Sequence, residues 1–186
     1  MKPSILHVVP TASSNPLLMG TVDHVDADFS VGAFGTGDSD LKRACADRGV
    51  PFFELGDAGT IVKMAHSLRR TIRSLRPDVV EAHTLHPSFA SALLATASRV
   101  RPVFLAVRHH NLNHYLHASR AGRWGDRFVN SQVDGVIAVS YAVRDTCIAE
   151  GLDPDRCYVA RNGLNLERFM DRRPADLGFE RHAKYM

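Results

Sequence analysis

Short apolar runs rich in β-branched residues recur along the chain, each closed by turn-forming residues and followed by a stretch of helical period. They read SILHVV (4–9), DFSVGAF (28–34), PFFEL (51–55), DVVEAH (78–83), PVFLAV (102–107), DGVIAV (134–139) and CYVA (157–160). Runs this short, with little polar alternation, have the pattern of strands buried on both faces of a parallel sheet. The stretches between them carry helix-end signals. Asp38 or Ser39 can cap DLKRACADR, Thr60 can cap IVKMAHSLRRTIRSLR ahead of Pro77, Pro87 can open PSFASALLATASRV, and Ser140 can cap YAVRDTCIAE. In the second of these, Ile61, Met64, Ala65, Leu68, Ile72 and Leu75 fall on one stripe. Sustained strand–helix alternation predicts an α/β fold: a doubly wound, mainly parallel sheet of about seven strands with helices on both faces.

Ligands of such sheets bind beyond the carboxyl ends of the strands. That rule puts EAHTLHPS (81–88), AVRHHNLNHY (106–115), AVSYAV (138–143) and VARNGLN (159–165) on the functional edge. Six of the ten histidines fall near two of these strand ends: His83, His86, His109, His110, His114 and His117. With Arg108, Asn111, Ser140, Asn162 and Gly163 they would form a crevice suited to hydroxyl-rich ligands and phosphates, in which imidazole, amide and hydroxyl groups both donate and accept and the guanidinium donates. The helix start at Ser140 adds backbone N–H groups for an anion.

Other chemistries lack their residues. No His-Glu-x-x-His occurs, and the asparagines among His110, His114 and His117 favour a loop over a zinc-binding helix face, so no metal is expected. Gly32, Gly35 and Gly37 follow the second strand rather than the first, with the wrong spacing for a dinucleotide fingerprint, and neither a Walker loop nor a Gly-x-Ser-x-Gly elbow is present. Cys45, Cys147 and Cys157 are odd in number and widely spaced, which argues against a disulfide framework and for a reducing, cytoplasmic setting. No run approaches the roughly 20 apolar residues of a membrane span. A net charge of +3 is too small to indicate nucleic acid. Arg69, Arg70, Arg73, Arg76 and Lys63 share a predicted helix, read as a solvated face, with peripheral contact to an anionic membrane as the alternative.

VDGVIAVSYAVRDTCIAEGLDPDRCYVARNGLNLERF (133–169) resembles glycosyltransferase family 4, whose pattern of strand, Ser, helix, Gly, strand, Asn-Gly, acidic residue and Phe it follows, with Asn165 where Asp is usual. RPDVVEAHTLHPSFASALLA (76–95), PVFLAVRHHNLN (102–113) and ADFSVGAFGTGDSDLKRACADRGVPFFELG (27–56) are similar to further segments of that family. The resemblance implies the N-terminal, acceptor-side Rossmann-like lobe of the two-lobed GT-B arrangement over residues 1–169, with 170–186 a charged linker. It implies a retaining enzyme that takes a nucleotide-diphosphate sugar, a hydroxyl acceptor and no metal or other cofactor. It also implies His83 as the catalytic histidine against the transferred sugar, His109 or His110 as a second cleft histidine, and Ser140 with Asn162-Gly163 as the cleft floor.

Two departures follow from the same comparison. The family's Gly-Gly loop after the first strand is replaced by TASSNPLLMGTVDHVDAD (11–28), leaving Ser13, Ser14 and Gly20 as the only candidates for donor-phosphate contacts. The family's donor-binding lobe lies outside these 186 residues, so they are expected to be inactive alone, to need that lobe or a second chain, and to self-associate through their exposed edge. The competing reading is a non-catalytic, sugar- or partner-binding Rossmann-like domain.

Overall fold

All seven apolar runs form strands. The computed structural model describes residues 2–13, 15–35, 39–57, 59–97, 101–109 and 120–163. In chain order it contains β1 (Ser4–Val9), α1 (Pro16–His24), β2 (Asp28–Ala33), α2 (Asp40–Ala46), β3 (Phe52–Glu54), α3 (Ile61–Leu75) and β4 (Val79–His83). There follow α4 (Leu85–Ala97), β5 (Val103–Arg108), α5 (Arg120–Gln132), β6 (Gly135–Ala138), α6 (Tyr141–Ala149), a 3₁₀ turn at Pro154–Arg156 and β7 (Cys157–Val159). The strands lie in the order β3-β2-β1-β4-β5-β6-β7, and every neighbouring pair is parallel. This is the Rossmann-like α/β lobe that the resemblance implied.

The expected caps form. Ser39 Oγ accepts from the Lys42 amide at 3.1 Å, Thr60 Oγ1 from Lys63 at 3.3 Å and Ser140 Oγ from Val143 at 3.2 Å. Each such cap contributes about 1 kcal/mol. On α3, Met64, Ala65 and Leu68 are buried, with Ile61, Ile72 and Leu75 packed against the core. Two boundaries correct the sequence reading. Helix α4 begins at Leu85 rather than Pro87, which stands in the first turn, where its missing N–H has no intrahelical partner to lose. Helix α5 carried none of the end signals used for the others; its buried side carries polar Asp126 and Asn130 as well as Val129, with Phe128 packed against the core and Val133 following the helix. Among the described residues no helix is long and apolar enough to cross a membrane.

The strand order decides which face is covered. From β1 the chain steps to β2 and β3, then returns to β4 and proceeds outward on the other side. Right-handed crossovers place the helices of these two excursions on opposite faces. Accordingly α1 and α2 contribute Leu18, Met19, Leu41 and Cys45 to a small core with Val9, Val31 and Ala33. The larger core joins Leu6, Val8, Val80, Phe104 and Val136 to Met64 and Leu68 of α3, Ala90 of α4, Val129 of α5 and Val143 of α6. Burying side chains such as Phe104 and Leu68 completely stabilises the fold by about 2 kcal/mol each. On the α1 side, β4 to β7 have no helix over them among the described residues, and Val103 and Tyr158 are 45% and 59% exposed there. The hollow this leaves beside α1 is where the candidate site lies.

Candidate functional site

Strand alternation assembles the site. His7 on β1 is in register with Glu81 on β4, and His83 follows two residues later on the same face. His83 is in turn in register with Val107 on β5, and His109 follows two residues beyond that. Their rings form a row. Glu81 Oε2 lies 3.1 Å from His7 Nδ1, His7 Nδ1 lies 3.2 Å from His83 Nε2, and His83 Nδ1 lies 3.2 Å from His109 Nε2. The rings of His83 and His109 stack at 5.5 Å, and the His7 ring stacks on Phe29 at 5.3 Å.

The row descends from the cleft into the core. His7 is 1% exposed and His83 9%, whereas His109 is only half-buried. Burial, followed by the neighbouring His7 and His109, pushes the His83 pKa down to about 3. His83 is therefore neutral throughout the physiological range.

The turn after His83 is strained. Thr84 has φ of 69°, a left-handed conformation that a β-branched residue seldom adopts, at a cost of about 1–2 kcal/mol. It is held in place from both sides. Its N–H donates to the Val107 carbonyl at 3.3 Å, and its carbonyl accepts from the Ser88 amide at 3.2 Å and the Ser88 hydroxyl at 2.6 Å. This kink lets α4 start directly after His83 and turns the chain away from the cleft. Strain of this kind concentrates at functional sites.

The cleft itself has a volume of about 180 Å³. His7, Glu81, His83 and His109 line one side, Asn15 and Thr21 of the α1 region another, and Arg161, Asn162 and Gly163 the mouth. Asn15 caps α1, accepting from the Leu18 amide at 3.1 Å. His7, Glu81 and His83 also bring three potential ligand atoms within 4.8 Å of one another, so they are the described residues best placed to hold a metal. His7 Nδ1 and His83 Nε2 are hydrogen-bonded, and Glu81 Oε2 stands at ion-pair distance from His7 Nδ1. A second hollow, of about 130 Å³, lies among Arg69, Arg73, Arg101 and Phe104 where β5 begins, away from the histidines.

The structure brings His83, His109, Asn162 and Gly163 together as the sequence suggested. His110, Asn111, His114, His117, Ser14 and the expected linker 170–186 lie outside the described residues. Ser140 caps α6 and is not among the cleft-lining groups. His86 is exposed on the first turn of α4.

Three further placements correct the sequence reading. Arg108 points to the opposite face of β5, is 5% exposed, and binds Asp126 of α5 and Glu150 after α6, both at 3.1 Å. It is a buried cation joining two helices to the sheet, because alternation along β5 sends it away from His109 and Val107. Gly20 belongs to helix α1, where its carbonyl accepts from His24 Nδ1 at 2.8 Å, and so is not part of a phosphate loop. Ser13 contacts Thr11 through its hydroxyl at 2.6 Å and does not line the cleft. His7 and Glu81 were missed. The signal was present, since a histidine within SILHVV and a carboxylate within DVVEAH are polar groups in buried strands, which require partners.

The sequence profile of Glycosyltransferase Family 4 matches residues 26–168. No curated protein matches the chain in sequence. Among solved structures, Anabaena Alr3699/HepE in complex with UDP and glucose superposes with a TM-score of 0.69 at 19% identity, over 89% of this chain and 46% of that one. A glycosyltransferase from Rickettsia africae ESF-5 gives 0.67 at 19% identity, over 91% and 45%. UDP-GlcNAc 2-epimerase from Neisseria meningitidis bound to UDP-GlcNAc gives 0.59 at 14% identity, over 86% and 47%. The chain thus spans just under half the length of these structures, which it resembles in fold.

Proposed function

Because the chain belongs to glycosyltransferase family 4, we propose that it forms the acceptor-side lobe of a retaining transferase, moving a sugar from a nucleotide-diphosphate donor to a hydroxyl acceptor. The observation that carries this reading is the histidine row at the carboxyl edge of β1, β4 and β5, opening into a cleft rimmed by Arg161, Asn162 and Gly163. HepE, a protein of the same fold, was crystallised with UDP and glucose.

The chemistry asked of these residues is orientation. His83 is neutral, so it hydrogen-bonds a sugar oxygen without adding charge beside the reacting carbon. It reaches the sugar by exchanging its His109 contact for one to the ligand. His109 and the Asn162-Gly163 mouth then hold neighbouring hydroxyls, so the acceptor and the anomeric carbon meet in a fixed geometry, and fixed geometry supplies much of an enzyme's rate. Arg161, which lines the cleft with its guanidinium over the Tyr141 ring, is the cation this reading assigns to the donor phosphates. Beyond the nucleotide sugar the reading requires no cofactor and no metal.

Nucleotide recognition belongs to a second lobe or chain, and the sheet face over β4 to β7, with Val103 and Tyr158 exposed, offers apolar surface for such a partner or for self-association. Alone, this chain transfers negligible sugar. The lobe works in the cytoplasm, where the exposed Arg69, Arg70 and Arg73 of α3 form a solvated basic face, with peripheral contact to an anionic membrane as the alternative.

Saturation-transfer NMR with UDP-glucose and GDP-mannose tests the assignment of roles. Sugar protons should receive more saturation from this chain than nucleobase protons. The reverse order would place nucleotide recognition here and refute the acceptor-side reading. A non-catalytic sugar-binding lobe shares the same cleft; transfer activity on adding a donor-side lobe separates the two.

A further inference from the structure

The histidine row has more hydrogen-bond contacts than an arbitrary placement of protons can satisfy. His7 Nδ1 faces both Glu81 Oε2 at 3.1 Å and His83 Nε2 at 3.2 Å. An ionised carboxylate only accepts, and a neutral imidazole carries one N–H and one lone pair. Were His7 Nδ1 unprotonated, its lone pair would face a carboxylate, and its proton would sit on Nε2. That atom is buried and has no hydrogen-bond partner. Because Nε2 lacks a partner in either placement, the carboxylate beside Nδ1 decides between them: a lone pair facing it is repelled, an N–H is attracted.

The opposite placement removes that repulsion and satisfies both hydrogen bonds of the row. His7 Nδ1–H donates to His83 Nε2 with the Glu81 carboxylate beside it at 3.1 Å, and His7 Nε2 keeps a buried lone pair. With Nε2 accepting, neutral His83 has its proton on Nδ1, and Nδ1–H donates to His109 Nε2.

From this we infer that Glu81 and His7 are positioning residues which fix the proton order along the row, so that His83 presents an N–H donor, not a lone pair, toward the cleft. The inference rests on the proposed role of His83 against the sugar and sharpens it. His83 selects for acceptor atoms, namely a ring or hydroxyl oxygen or a sugar oxygen gaining negative charge. It cannot take a proton from an acceptor hydroxyl through Nδ1. Any proton released on transfer must leave by another route, with the departing diphosphate as the nearest base the reaction itself supplies.

Long-range ¹H–¹⁵N correlation spectra of the uniformly labelled chain report the tautomer of each histidine ring without any ligand. The expected spectrum at neutral pH shows His7 and His83 as Nδ1–H tautomers, unchanged by EDTA. Glu81→Met removes the acceptor that sets the direction, and His83 should then populate the Nε2–H form. Glu81→Gln keeps a carbonyl for His7 Nδ1–H and should restore the wild-type pattern, which a merely structural role for Glu81 would not require. An Nε2–H His83 in the wild-type protein would overturn the inference. So would an EDTA-sensitive spectrum, since a metal would then replace the His7 Nδ1 proton. Either failure would leave the saturation-transfer result standing, and a failed saturation-transfer experiment would leave the tautomers as measured.

Discussion

Lowering the pH should destabilise this protein through His83 in a predictable way. Its pKa is pushed from 6.5 to about 3 in the folded chain, chiefly by burial. A base with a depressed folded pKa contributes stability that is fully present above the unfolded pKa and is lost as pH falls toward the folded one. Between 6.5 and about 3 the unfolded chain binds a proton that the folded chain refuses, so each pH unit removes about 1.4 kcal/mol. From pH 7 to pH 5 the loss from this one residue is about 2 kcal/mol, an appreciable share of the roughly 5–15 kcal/mol that stabilises an ordinary domain. With a urea slope of about 2 kcal/mol per molar, the unfolding midpoint should fall by about 1 M. Other groups titrate in the same window, so the informative comparison is with His83→Gln. That variant loses a constant amount of stability at pH 7 but should shed the His83 part of the pH dependence, giving a shallower decline by about 2 kcal/mol over the interval. Equal declines in wild type and variant would refute the claim that His83 is held neutral by burial in the row.

Three further outcomes follow from the same geometry. Arg108→Met leaves Asp126 and Glu150 without their buried cation and should cost about 3–5 kcal/mol in urea denaturation, while Arg108→Met with Asp126→Asn should recover part of the loss; a change under about 1 kcal/mol would return Arg108 to the list of ligand contacts. Thr84→Gly relieves the left-handed strain against a smaller entropic cost, so the melting temperature should rise by about 2–3 °C, whereas a fall would mean that the Thr84 side chain is itself a structural contact. Ser140→Ala should lower stability by about 1 kcal/mol through loss of the α6 cap and leave sugar binding unchanged; lost binding would move Ser140 into the cleft.

What could be read in advance followed from regular repetition. The apolar runs, the caps at Ser39, Thr60 and Ser140 and the stripe on α3 are local patterns, and right-handed crossovers constrain how such elements connect into a sheet. What escaped depends on which way a side chain points. Arg108 and His109 are adjacent in sequence, yet one lies in a buried ion-pair cluster and the other in the cleft, because they stand on opposite faces at the end of one strand. His7 looked like a member of an apolar run until β1 was paired with β4, and that pairing brings Glu81 beside it from 74 residues away. Gly20 looked like loop chemistry, but Asn15 caps a helix across it. In each case the missing information was tertiary register rather than propensity.

The central claim is that a sugar is bound at the histidine row. It is tested most directly by following the ring resonances of His83 and His109, with the Asn162 and Gly163 amides, as a nucleotide-diphosphate sugar is added up to about 10 mM, enough to occupy a site with Kd near 1 mM. The account predicts that these four shift together and saturate, while Arg69 and Arg73 at the second hollow do not respond. Shifts confined to that second hollow, or saturable binding that leaves His83 and His109 unmoved, would contradict it.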